Sequence, residues 1–294
     1  MSARRGLALA SLLLLLLLLL AACKRSGGGG AAAGLRFERA GGKVVTLSTA
    51  EMQRITPARD ITVFDPNYKR DKRYRAHLLA PLVARGLGLD DKALRAARFL
   101  FIASDGYKVA LAGVDIVALE AYLAVADLAP GGWKDVPGHN GVKPGPLYVV
   151  WRGEKARDMK LFPWPWQLAT VRPSPKDLYA RTVPLSAPAG SPARAGHKIF
   201  LRDCIRCHAI NRQGGRLGPE LNVPKNVLEY RDEKLLREFI RNPKAYRYGN
   251  MPAQTQLSDG DLDSVVAYLR VMVRHKHDSE AAKAKAGAKA KAPR

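Results

Sequence analysis

The pattern of apolar and polar positions divides the chain into two folded regions separated by a proline-rich segment. Across residues 35–171, short apolar and β-branched runs are mixed with stretches of helical spacing, which predicts a mixed α+β domain. The predicted elements are strands at Val44–Leu47, Ile61–Phe64 and Leu147–Trp151, a hairpin over Arg98–Leu111 that turns at Asp105-Gly106, and a helix over Val114–Leu128.

A proline-rich segment and a helical region follow. Residues 172–195 contain five prolines and little apolar periodicity, which predicts a semi-extended linker and a domain boundary. Residues 196–277 have helical spacing and predict a smaller all-α domain. Its last helix carries one apolar stripe and Ser258 as N-cap, the stripe being Leu262, Val265, Val266 and Leu269.

The start of the chain has the composition of an export signal. An apolar run of fourteen residues, Leu7–Leu20, interrupted only by Ser11, follows a basic start, and a membrane-spanning helix would need about 20 residues. We therefore predict a signal peptide over residues 1–22. The run Leu20-Ala21-Ala22-Cys23 resembles the lipobox of bacterial lipoproteins, which implies that Cys23 is lipidated. The alternative is an ordinary signal peptide with an incidental cysteine.

The lipid would attach the protein to a membrane of the cell envelope, facing the periplasm. Lys24, rather than an aspartate, follows the cysteine, so we predict the outer membrane rather than the inner one. The Gly/Ala-rich residues 23–34 predict a flexible tether, and the low-complexity residues 278–294 predict a disordered basic tail.

The formal net charge of +23 favours anionic surfaces or an acidic partner, although a generally basic composition needs no specific partner. No nucleic-acid partner is expected, because no nucleic-acid-binding motif occurs and the chain carries an export signal.

Two of the three cysteines lie in the run Cys204-Ile205-Arg206-Cys207-His208. Cys-x-x-Cys-His is the attachment signature of c-type haem: two thiols on one helical turn reach the vinyl groups at one porphyrin edge, and the next imidazole reaches the iron. A zinc site would need four ligands, a dithiol redox site would follow a strand, and a disulfide across three residues would be strained. We predict one covalent haem c held by Cys204 and Cys207, with His208 as an axial iron ligand.

A second axial ligand is predicted at Met251. It lies in a Gly/Asn/Pro-containing loop that contributes little to a hydrophobic core. A thioether opposite an imidazole raises the haem potential relative to two imidazoles. His275 and His277 are rival ligands, but they fall at the end of the final helix, where we expect exposure to solvent.

Residues 196–277 resemble a class I cytochrome c domain. The resemblance is carried by Gly196 and Phe200, the run Gly218-Pro219-Glu220-Leu221, the pair Met251-Pro252, and Tyr268. It implies that the Pro219 carbonyl accepts a hydrogen bond from the proximal imidazole, and that Tyr268 packs near the glycine of the first helix.

Residues 60–173 resemble the molybdopterin domain of the sulfite oxidase family. The resemblance is carried by DPNYKRDKRYRAHLLAPLVARGLGL, ASDGYKVAL and GPLYVVW. That family ligates molybdenum through a cysteine, whereas every cysteine here already has a predicted role. The resemblance therefore implies the fold without the metal, and molybdopterin is not expected. Such a domain would serve for docking or for binding a small ligand; its isolated His77 and His139 and its tryptophans are interpreted as structural.

The sequence thus predicts a membrane-anchored monohaem cytochrome c that passes single electrons between redox partners, and not an enzyme. Lys198, Arg206 and Arg212 are candidates to steer an acidic redox partner. Three alternatives stay open: an oxidoreductase whose substrate binds the first domain, a haem-based ligand sensor, and a lipoprotein binding module with an accessory cytochrome.

Overall fold

A computed structural model describes residues 34–139, 141–246 and 249–278. The predicted signal peptide, the lipidated Cys23, the tether up to residue 33 and the tail from residue 279 lie outside the described residues. Within the described part, no helix has the length and apolar character needed to cross a bilayer.

The described residues form eleven strands and seven α-helices in two regions. In chain order the elements are β1 (Leu35–Glu38), β2 (Val44–Leu47), α1 (Thr49–Ile55), β3 (Arg59–Asp65), β4 (Arg70–Leu78), α2 (Leu79–Leu87), α3 (Asp91–Ala96), β5 (Arg98–Ala103), β6 (Lys108–Ala112), α4 (Gly113–Ala118), β7 (Tyr122–Asp127), β8 (Tyr148–Val150), β9 (Leu168–Pro173), α5 (Pro192–Asp203), β10 (Ala209–Ile210), β11 (Gln213–Gly214), α6 (Glu233–Arg241) and α7 (Asp259–Met272).

The first region is an α+β domain with two sheets. One sheet has the order β2-β1-β9-β5-β6 and the other the order β3-β4-β7-β8. β1 and β9 pair in parallel, with Arg36 opposite Thr170, while the other pairs are antiparallel. The first and last strands of the domain, β1 and β9, are therefore hydrogen-bonded neighbours in the same sheet. One hydrophobic core joins the sheets to the helices.

Most of the predicted elements of this domain are confirmed, but the helix over Val114–Leu128 is wrong beyond its first turns. α4 ends at Ala118, Glu120 has a positive φ of 44°, and the chain continues as strand β7. β7 is an inner strand that pairs with β4 and β8, and its first five residues, 122–126, are all apolar. Such a run has no period of two, and periodicity alone does not separate it from a buried helix.

The second region is helical, with one small irregularity. Three helices, α5, α6 and α7, surround their own core, and a two-residue ladder between β10 and β11 interrupts the all-α pattern predicted from the sequence. α5 begins at Pro192, four residues before the predicted start of this domain. The segment before it is packed rather than extended, because Thr182 in a short 3-10 turn and Ala187 are both buried.

Candidate haem attachment site

The Cys-x-x-Cys-His motif forms one tight turn at the end of α5. Helix α5 ends at Asp203, and the amide N–H of its C-cap residue, Cys204, still donates to the Phe200 carbonyl. The Cys204 carbonyl then accepts hydrogen bonds from the amide N–H groups of Cys207 at 3.1 Å and His208 at 2.9 Å. The motif therefore follows a helix, as predicted, and not the strand that a dithiol redox site would favour.

The imidazole of His208 is fixed in one tautomer and one orientation. Its Nδ1 lies 2.9 Å from the Pro219 carbonyl oxygen, and because a carbonyl only accepts, Nδ1 carries the proton and donates. Nε2 therefore keeps its lone pair for a metal. The Gly218 backbone lies so close to the ring that an added Cβ would be 2.3 Å from Cε1. Burial lowers the pKa of His208, against the opposing effects of the Pro219 hydrogen bond and Glu220, which favours the neutral ring that metals bind.

The two motif cysteines are thiols, not thiolates, at neutral pH. Burial raises the pKa of Cys204 to about 12 and that of Cys207 to about 11, and the charges of Asp203 and Asp105 add to these shifts. Reactive redox cysteines have the opposite shift, because a thiolate is their nucleophile. Neither cysteine is in a disulfide. A thiol with a bound proton is what adds across a vinyl group to give a thioether, so this pair fits covalent haem.

The zinc alternative lacks the further ligands that it needs. Among the described residues, no group of three or more His, Cys, Asp or Glu side chains lies together as a metal ion would require.

Met251 lies in the irregular segment between α6 and α7. It is half-buried, and the Gln254 amide N–H ties this segment to the Ile240 carbonyl at 3.1 Å. The two rival histidines lie elsewhere. His275 is half-buried with Nε2 at 2.7 Å from the Ser186 hydroxyl, and His277 is exposed. The exposure expected at both positions is thus found only at His277, and the role of Met251 stays a prediction.

Helices α5 and α7 cross at a glycine, and this crossing supports the attachment turn. An added Cβ on Gly196 would lie 1.9 Å from the Ser264 carbonyl oxygen and 2.9 Å from the Tyr268 Cβ. The Tyr268 ring also packs against that of Phe200, with 5.4 Å between the ring centroids, and its hydroxyl donates to the Thr182 carbonyl at 2.8 Å. The expected packing of Tyr268 near the first-helix glycine is confirmed.

Three asparagines of zero exposure form a chain that sequence reasoning missed. Asn226 donates to the side-chain oxygen of Asn222 at 2.7 Å, and Asn222 donates to that of Asn211 at 2.8 Å. The ends of the chain donate to backbone carbonyls at Leu269 and His275. The loop after the attachment turn is thereby fastened to the end of α7. The sequence contains no local pattern that predicts this chain, because asparagine is mostly exposed and is buried only where its amide finds hydrogen-bond partners.

The turn between β5 and β6 docks on the attachment motif. The Lys108 amide N–H donates to the Arg206 carbonyl at 3.0 Å, and the Arg216 amide N–H donates to the Gly106 carbonyl at 2.8 Å. Asp105 is close enough for its charge to raise the pKa of Cys207. The attachment motif therefore lies at the contact between the two domains.

This contact changes the interpretation of the basic residues. The Arg206 guanidinium donates to the carbonyls of Met159 at 3.1 Å and Lys160 at 2.5 Å, and Arg212 pairs with Asp278 at 3.1 Å. The charge of Arg212 is thus offset within the chain, whereas Arg206 keeps its charge because carbonyls are neutral, and the steering role of these residues stays a prediction. Lys198 is exposed, as that role requires.

The isolated histidines and the tryptophans of the first domain make contacts within that domain. The buried His77 ring contacts the Thr56 carbonyl at 2.6 Å, and His139 packs edge-on against Trp166 at 5.0 Å. Trp151 and Trp164 are buried in the core, as expected, and each donates its indole N–H to a backbone carbonyl.

Comparison with known proteins points to the same region of the chain. Residues 191–269 match the family described as cytochrome c oxidase, cbb3-type, subunit III. A cytochrome c oxidase subunit 2 from Alkalihalophilus pseudofirmus is 36% identical over 91 residues, which are 28% of this chain and 26% of that protein. The cytochrome c of Gossypium barbadense is 30% identical over 103 residues, which are 29% of this chain and 92% of that protein.

The chain thus spans about a quarter of that oxidase subunit but nearly all of the plant cytochrome c. The matched region contains the attachment motif and the α5–α7 crossing. Through its C-terminal domain the chain belongs to the cytochrome c family, a haem-containing electron-transfer family whose cofactor is covalently bound haem c.

Proposed function

We propose that this protein is a membrane-tethered monohaem cytochrome that carries single electrons between redox partners of the cell envelope. The observation that carries the proposal is the fixed His208 imidazole, which donates from Nδ1 to Pro219 and presents Nε2 beside two protonated thiols. This set of donors suits a haem that is attached at one edge and ligated on one face.

Each residue of the site has a defined part. Cys204 and Cys207 would hold the porphyrin, and His208 and Met251 would ligate its iron. The haem supplies the one-electron chemistry between ferric and ferrous iron. Pro219 raises the electron donation of His208 through the Nδ1 hydrogen bond, as outer partners of metal ligands generally do.

The first domain acts in this proposal as a docking module for the haem domain. Its β5–β6 turn is bound to the attachment motif by backbone hydrogen bonds, and Arg206 adds two bonds to the 159–160 segment. A redox partner must therefore approach the haem from a direction that the first domain leaves open.

The visible spectrum of the reduced protein, with and without carbon monoxide, tests the carrier proposal. We expect sharp low-spin bands that carbon monoxide leaves unchanged in the wild type, because two axial ligands close the iron. Met251→Ala should bind carbon monoxide readily. Met159→Ala removes an exposed methionine of the first domain and should behave like the wild type.

Two results would count against parts of this proposal. Ready binding of carbon monoxide by the wild type would indicate an open sixth position and would favour a sensor or an enzyme. An unreactive Met251→Ala variant would leave the carrier standing but would remove Met251 as the ligand.

The lipid tether has a separate test. If Cys23 is lipidated, the protein takes up labelled fatty acid and sediments with membranes, and Cys23→Ser abolishes both. Density separation of the two membranes then tests the predicted outer-membrane position. A soluble, unlabelled wild-type protein would instead support an ordinary signal peptide.

A further inference from the structure

A cavity of about 160 Å³ lies between the two domains, beside the hairpin that follows the attachment motif. Lys108 of β6 and Arg172 of β9 line it from the first domain. Arg212 and Gln213 line it from the haem domain, and Tyr179 from the segment between them. Three of these five side chains are cationic, and they come from both domains.

The charges that act on two of the lining residues, Lys108 and Tyr179, are all positive. The charges that act on Lys108 come from Arg172 and Arg216, and together with burial they lower its pKa. Those that act on Tyr179 come from Arg206 and Arg98. No carboxylate contributes at either position, so the cavity is a site of positive potential.

Two of the lining cations have donors that the described residues do not satisfy. Lys108 is a half-buried residue whose side chain has no hydrogen bond or ion pair within the described part of the chain, and the buried Nε of Arg172 has no hydrogen-bond partner there. Arg172 does contact Glu38 at 3.6 Å through Nη1, and Arg212 is paired with Asp278. Burying an unmatched charge is costly, so a counter-charge in the cavity would stabilise the folded state.

We propose that this cavity binds one small oxyanion of the sulfate or phosphate type, held between Lys108 and Arg172. Its volume is well below the roughly 300 Å³ at which pockets for drug-sized ligands begin, so it can enclose a small anion but not a whole nucleotide. Guanidinium and ammonium groups on several sides suit the several oxygens of a tetrahedral anion. The site does not depend on the electron-transfer proposal, because it is built from side chains that bind no haem.

The test is calorimetric titration of the haem-loaded protein with sulfate and with phosphate, at constant ionic strength balanced by chloride. We expect saturable binding of one anion per chain and a dissociation constant at least tenfold larger in Lys108→Gln. The matched control is Lys92→Gln, which removes the same charge from an exposed position on α3 and should bind like the wild type.

Thermal unfolding gives a second readout that a misfolded variant would not reproduce. Without sulfate, Lys108→Gln should be at least as stable as the wild type, since it removes an unpaired, half-buried charge. Sulfate should then raise the Tm of the wild type and of Lys92→Gln, but not that of Lys108→Gln.

Three results would overturn the proposal. The first is the absence of saturable anion binding to the haem-loaded protein. A carboxylate of the haem that filled the cavity would give this result. The second is equal weakening by both substitutions, which would indicate a general effect of net charge. The third is a Lys108→Gln variant that keeps the affinity of the wild type.

Discussion

The crossing of α5 and α7 at Gly196 makes a quantitative prediction. In Gly196→Ala the new methyl group would lie 1.9 Å from the Ser264 carbonyl oxygen, so the two helices must separate by about 1.5 Å to restore a normal contact distance. Overpacking of this kind lowers the free energy of unfolding by about 1–3 kcal/mol, whereas the higher helix propensity of alanine relative to glycine raises it by about 1 kcal/mol. Loss of the Tyr268 bond to the Thr182 carbonyl would add about 1 kcal/mol.

We therefore expect the free energy of unfolding of the haem domain to fall by about 2 kcal/mol, or the Tm by roughly 8–16 °C for a domain of this size. Urea denaturation followed by haem absorbance measures the first quantity. The matched control is Gly260→Ala in α7, where the nearest atom to the new Cβ is the Ser258 Oγ at 3.9 Å. That variant should be as stable as the wild type or slightly more so. Equal stability of the two variants would refute the close-crossing argument.

Three further predictions concern other parts of the structure. Burial and a neighbouring arginine lower the pKa of His197 in the folded protein. As the pH falls below the ordinary histidine value of 6.5, the unfolded chain therefore takes up a proton more readily than the folded one, and the free energy of unfolding decreases. His197→Gln should make the free energy of unfolding, measured by urea titration, less dependent on pH in this range. Arg206→Ala should expose the domain contact to limited proteolysis at a loss of about 1–3 kcal/mol, whereas Arg274→Ala, at an exposed position, should not. Lys72→Met should destabilise the first domain by about 3–5 kcal/mol because it leaves the buried Asp127 carboxylate without its counter-charge. A second change, Asp127→Leu, should recover part of that loss in thermal unfolding, since the Ala129 amide N–H then loses its bond to Asp127.

Local signals in the sequence were sufficient to predict the attachment turn. The spacing of Cys204, Cys207 and His208 determines which groups share one turn, and the Pro219 carbonyl lies where the family resemblance implies. The same local reasoning identified the Ser258 cap of α7, whose capping box with Asp261 is present. These features depend on residues close together in the chain.

Features that depend on distant residues were not predicted. Whether Tyr122–Asp127 forms a helix or a strand is decided by the pairing of both its edges, and the sequence of the segment does not contain that information. Arg206 looked like a surface cation because its partners, the carbonyls of residues 159–160, are backbone groups that every sequence has. The burial of Asn222 likewise depends on residues from three separate segments.

The chain of asparagine amides has a consequence for the chemical ageing of the protein. Asn226, Asn222 and Asn211 all donate in the same direction, so each link joins an NH₂ group to an oxygen. Hydrolysis of the Asn222 amide to a carboxylate would exchange one NH₂ group for an oxygen and would set two oxygens against each other at a position with no exposed surface. Asparagine is among the residues most prone to such damage on heating. The working lifetime of the haem domain therefore depends on three amides that must all remain intact, because a single changed atom breaks the link between the attachment loop and the final helix.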